Sequence, residues 1–114
     1  MQSTRQNKIC RLIQQDMGDI FLREMKGVLG PSLITVTNVN ITPDLSIARI
    51  YVSIMVIGQG SPDSILAIIR ENTSDLRRRL GLREGKQLRI IPQLEFFLDD
   101  TLDYIDNINR LLKQ

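Results

Sequence analysis

The chain has 114 residues, 42% of them hydrophobic, and no apolar run near the roughly 20 residues needed to cross a bilayer. One domain spanning residues 1–114 with a single modest core fits this length, and no membrane association is expected. The formal charge of +2 is uneven, because residues 1–94 carry thirteen basic and eight acidic side chains while residues 95–114 carry two and five.

Residues 4–26 place Ile9, Ile13, Met17, Ile20 and Phe21 on one arc at helical spacing, with Lys8, Arg11, Gln15 and Lys26 on the other side. Gly27, Gly30 and Pro31 end this helix. Residues 33–41 and 47–57 are rich in β-branched side chains, and alternation is clearest at Ala48, Ile50, Val52, Ile54 and Val56. Thr42-Pro43-Asp44-Leu45-Ser46 supplies the turn between two antiparallel strands.

Ser61 is the expected N-cap, and Pro62 the first position, of a helix carrying Ile65, Leu66, Ile68 and Ile69. Asn72, Thr73 and Ser74 cap better than they propagate, so a break is expected there with a restart at Asp75. In the second helix Leu76 and Leu80 define a buried stripe, so Arg77, Arg78 and Arg79 fan over the exposed side until Gly81 and Gly85 close it. A strand over residues 88–97 contains Pro92, which cannot donate to a ladder and so implies an edge or a bulge. Residues 101–112 return to helical spacing through Leu102, Ile105, Ile108 and Leu112. The order α-β-β-α-kink-α-β with an additional C-terminal helix makes an α+β domain.

The single cysteine, Cys10, cannot form an intrachain disulfide, and the polar start Met1-Gln2-Ser3-Thr4-Arg5 lacks a signal-peptide core, so a cytoplasmic location is expected. Without histidine and with Cys10 on a helical core face, no nucleophile and base pair assembles, so no enzyme activity, cofactor or metal is expected. Asp99, Asp100 and Asp103 superficially resemble a magnesium cluster, but acidic residues at a helix start are explained by its dipole and free amides. Eleven arginines against four lysines favour a phosphate-rich partner, since the guanidinium fork matches phosphate oxygens. Asp75 lies four residues before Arg79 and pairs with it, whereas Arg77 and Arg78 have no carboxylate at that spacing and are expected to be free. Exposed aromatics for base stacking are scarce, which speaks against single-strand base reading. The candidate phosphate-contact residues are Arg77 and Arg78, with Lys8 and Arg11 from the first helix. The other readings are a protein-interaction module without direct RNA contact and a metal-dependent phosphate enzyme built on the aspartates.

Several segments resemble the ribosome-binding factor A family over nearly the whole chain. Arg5-Gln6-Asn7-Lys8-Ile9 is similar to its opening helix, and residues 36–53 resemble its strand-turn-strand through Asp44-Leu45, Ala48 and Tyr51-Val52-Ser53. Leu88-Arg89-Ile90-Ile91-Pro92-Gln93-Leu94-Glu95-Phe96, then Asp99 and Thr101, is similar to its Arg, Pro-x-Leu-x-Phe and Asp-x-Ser pattern. The resemblance implies a KH-like fold of the second type, and a non-catalytic factor in maturation of the small (30S) ribosomal subunit. Such a factor binds 16S rRNA of free subunits or their precursors, often serves cold adaptation and is released by assembly GTPases; a monomer is expected. Where KH domains use Gly-x-x-Gly and this family a kink of small residues, the chain has Asn72-Thr73-Ser74, so the resemblance implies RNA binding by Asn72, Thr73, Ser74, Arg77 and Arg78, with Lys8 and Arg11.

Overall fold

Apolar periodicity along the first segment produces helix α1, Thr4–Arg23, which buries Ile9, Ile13, Met17, Ile20 and Phe21. The computed structural model describes residues 4–30, 32–58, 60–85, 88 and 90–99, and the architecture concerns these. The helix stops three residues before the expected end at Lys26. A turn at Glu24 and Met25 starts the short α2, Lys26–Leu29, and brings Met25 and Leu29 into the core. Gly30 follows at φ 66°, a left-handed conformation that glycine adopts without a Cβ clash.

Strand β1, Leu33–Ile41, pairs antiparallel with β2, Ile47–Met55, in a register running from Leu33 opposite Met55 to Ile41 opposite Ala48. The register shifts once, between Val36 and Asn38. Their connection is held by Asp44, whose Oδ1 accepts from Thr42 Oγ1 at 2.7 Å and Ser46 Oγ at 2.8 Å. These bonds hold the Asp44 carboxyl below its usual range. Leu45 takes φ 62°, uncommon for a leucine, with its amide donating to Thr42 O at 2.8 Å.

Ser61 and Pro62 start α3, Pro62–Glu71, as the sequence leads one to expect, and Ser61 and Ser64 make a reciprocal capping box. Asn72 ends α3, but α4 restarts at Thr73 rather than Asp75 and runs to Glu84. Gly81 lies inside α4 instead of closing it: a Cβ there would stand 3.4 Å from Ile91 Cγ1, so the bare Cα admits the following segment.

Strand β3, Gln93–Leu98, is shorter than the expected strand over residues 88–97. It runs parallel to β2, from Gln93 opposite Ile47 to Leu98 opposite Val52, and forms an edge in the order β1-β2-β3. Pairing begins after Pro92, which has no amide hydrogen, and the carbonyls of Ile91 and Pro92 accept from Arg77 instead. The edge position expected from Pro92 is therefore present.

Ala48, Ile50, Val52 and Ile54 of β2 point into the core with Ile69, Leu76 and Leu80 of the α3–α4 pair. Phe21 meets Phe96 edge to face at 6.1 Å. The alternate residues Arg49, Tyr51 and Ser53 are exposed or half-buried on the other side of the strand. The described order α-β-β-α-kink-α-β is the expected KH-like α+β arrangement. The expected helix over residues 101–112 lies outside the described residues, as do Asp100 and Asp103.

Candidate nucleic-acid interface

Burial of Leu76 and Leu80 fixes the rotation of α4 and turns its arginines outward, but the structure gives each of them a partner. Arg79 donates from Nε to Asp75 at 2.8 Å and from Nη1 to Glu24 at 2.9 Å. Arg83 donates to Asp19 at 2.7 Å and to Glu24 at 2.6 Å, so the network ties α4 to the end of α1. Hydrogen bonds from Arg83, then Arg79, hold the Glu24 carboxyl below its usual range. Arg79 in turn lowers Asp75, and Arg83 lowers Asp19.

Arg77 and Arg78 are not free, contrary to the expectation from spacing. Arg78 Nη2 lies 2.8 Å from Asp75 Oδ1 across three residues. Arg77 donates from Nε to Pro92 O at 3.1 Å and from Nη2 to Ile91 O at 2.6 Å. A test for carboxylates four residues ahead misses the first contact, and the second involves backbone atoms fifteen and fourteen residues away. Arg77 thus acts as a strut between α4 and the approach to β3. Arg78 holds an exposed surface pair, which a phosphate can displace at small cost.

The kink is also largely engaged with itself. Asn72 Nδ2 donates to Ile68 O and Thr73 Oγ1 to Arg70 O, both at 2.8 Å. These side chains satisfy carbonyls at the C-terminal end of α3, groups that a helix end leaves without internal partners. Ser74 is exposed.

Lys8 and Arg11 are exposed on α1 and form no ion pair among the described residues. With Arg5 they border a groove of about 880 Å³. Its apolar surface includes Leu12 on α1, Leu45 on the turn, and Ile90 and Pro92 before β3. Asp44, the one carboxylate among its lining residues, already accepts from Thr42 and Ser46. Arg5, Lys8 and Arg11 recur every third residue, advancing about 4.5 Å along the helix per step. The expected site therefore divides into the α1 groove and the kink with α4, joined through residues 90–92, which line one and accept from the other.

Sequence reading passed over Arg5, though its three-residue spacing from Lys8 was visible. It also passed over Glu84, which continues the Leu76 and Leu80 stripe by four residues and is fully buried. Neither Glu84 carboxylate oxygen has a hydrogen-bond partner among the described residues. Burial first, then the neighbouring Asp16, raises its pKa to about 8. Among the described residues, no group of three or more His, Cys, Asp or Glu could hold a metal ion.

A family model described as ribosome-binding factor A matches residues 5–112. The ribosome-binding factor A of Cytophaga hutchinsonii is 44% identical over 114 residues, covering 100% of this chain and 84% of that relative. The crystal structure of ribosome-binding factor A from Thermus thermophilus is similar with a TM-score of 0.66 at 19% identity, over 82% of this chain and 94% of that one. A homology model of the Thermus thermophilus factor, fitted into a cryo-electron microscopy map of a 30S complex, gives a TM-score of 0.60 at 20% identity. That likeness covers 79% of this chain and 90% of the other.

Proposed function

Because the chain belongs to the ribosome-binding factor A family, we propose that it binds the small ribosomal subunit through 16S rRNA and assists maturation of free 30S subunits or their precursors without catalysis. The observation that carries this reading is the row of cations on α1, Arg5, Lys8 and Arg11, exposed and without ion pairs among the described residues. Cations already paired to carboxylates must exchange one anion for another, whereas unpaired ones release counterions from RNA directly. Lys8 and Arg11 therefore lead the phosphate contacts. Arg78 joins by exchanging Asp75 for a phosphate, and exposed Ser74 adds a hydroxyl. Asn72, Thr73 and Arg77 shape the kink and its surroundings.

In this reading the protein is a cytoplasmic monomer, and an assembly GTPase releases it when the subunit is complete. The 30S complex of the Thermus thermophilus factor supports the choice of particle. Sedimentation of cell extract through sucrose tests the proposal. The protein is expected with free small subunits and their precursors, and a Lys8→Gln, Arg11→Gln double variant is expected near the top of the gradient. Migration mainly with polysomes, or with no ribosomal particle at moderate salt, overturns it.

A further inference from the structure

We propose that the groove between α1 and the turn after β1 receives an unstacked base of single-stranded rRNA, while Arg5, Lys8 and Arg11 hold the adjoining phosphates. This deepens the function proposed above and rests on it. The groove combines chemistries that different parts of one nucleotide require. Its cations stand on α1, and beside a few polar groups from Gln15, Asp44 and Ser46 it offers aliphatic surface from Leu12, Leu45, Ile90 and Pro92. Phosphate gains nothing from an aliphatic surface. A base face does, because removing it from water is favourable without any directional partner.

The groove's volume, about 880 Å³, lies within the range of roughly 300–1,000 Å³ usual for clefts that enclose small ligands. Charge selects the occupant: the three cations form no ion pair among the described residues, and Asp44 is occupied within its own turn. Ile90 is 77% exposed, so a large apolar side chain stands at the groove without cover from the described residues. Duplex RNA keeps its bases stacked and offers mainly phosphates and 2′-hydroxyls, so this groove discriminates single strands, loops and bulges from helices. Scarcity of exposed aromatics argues against stacking on a ring, but it says nothing against packing on leucine, isoleucine and proline. Aliphatic packing is tolerant of base identity, so preference by strandedness is expected to exceed preference by sequence.

The test compares a short oligoribonucleotide carrying 2-aminopurine in single-stranded form with the same sequence closed into a hairpin stem, using the full chain. The single strand is expected to bind about tenfold more tightly, the scale of one small apolar contact removed from water, with a change in 2-aminopurine emission on binding. Leu12→Asn and Ile90→Ser each replace an apolar wall of the groove with a polar one; both keep every charge, and each is expected to abolish the preference. Ile90 is exposed enough that its variant folds even if the Leu12 variant does not. Equal affinity for both forms, or a preference that survives both substitutions, overturns the base site while leaving the phosphate contacts of the proposed function intact. No binding of either form at low salt overturns the proposed function as well. Binding of an acidic amphipathic peptide in the groove without any RNA binding assigns it to a protein partner and overturns the inference.

Discussion

Glu84 shows how one residue on a legible stripe can escape a pattern reading. Leu76 and Leu80 announce a buried face, and four residues later the same face holds a carboxyl group with no exposure. Its pKa rises from the usual 4.5 to about 8 because burial disfavours the charge and Asp16 lies close by. The folded state therefore binds this proton more tightly than the unfolded chain does. Stability from this group is complete below pH 4.5 and is lost as pH rises towards 8. Asp19, Glu24 and Asp75 act oppositely: their lowered values give stability above the normal carboxylate range that is lost on acidification through the folded values. Urea unfolding across pH is expected to show greatest stability at about pH 5. Glu84→Gln keeps the shape and removes the titrating charge, and is expected to raise stability near pH 8.5 by about 1–3 kcal/mol while flattening the alkaline decline. An unchanged slope between pH 4.5 and about 8, the window between the unfolded and folded values, means that Glu84 is not the titrating group.

Elements whose signals are local were legible. The N-cap at Ser61 and the alternation of β2 depend on neighbours along the chain, and the structure reproduces both. The capping box gives a direct check, since Ser61→Ala removes the acceptor for Ser64 N and the reciprocal bond from Ser61 N to Ser64 Oγ loses its setting. A loss of about 1 kcal/mol in chemical unfolding is expected, with the helix count unchanged by circular dichroism. A loss below a few tenths of a kcal/mol indicates that water replaces the cap at no cost. Elements set by distant partners were less legible. The apolar run from Leu88 reads as strand locally, yet the ladder waits for Gln93, whose amide donates to Ser46 O at 2.9 Å. Met25 continues the Met17 and Phe21 spacing and is buried, so periodicity runs on past Arg23, where α1 ends.

For the whole molecule, the same contrast explains why fold class was easier to read than the binding face. Hydrophobic periodicity specifies layers, whereas the availability of a cation depends on groups brought near it by folding. Arg77 looks free in sequence but bridges α4 to Ile91 and Pro92, while Lys8 and Arg11 look like ordinary helix solvation but form no ion pair among the described residues and border the groove lined by Leu12 and Leu45. This predicts a separation of effects. Replacing Lys8 and Arg11 with Gln is expected to leave thermal stability within about 0.5 kcal/mol, as for exposed sites without special contacts. It should also lower the salt slope of small-subunit RNA binding by about two charge units. Replacing Arg77 and Arg78 with Gln is expected to reduce stability by about 1 kcal/mol, mainly through the lost carbonyl bonds of Arg77. Of the two, only Arg78 is available for binding in the unmodified chain, so its loss should change that slope by at most about one unit. Measuring unfolding and salt-dependent RNA affinity on both double variants separates the two faces. If the α4 pair alters the slope by about two and the α1 pair leaves it unchanged, phosphate recognition resides on α4 and binding must break the Arg77 strut.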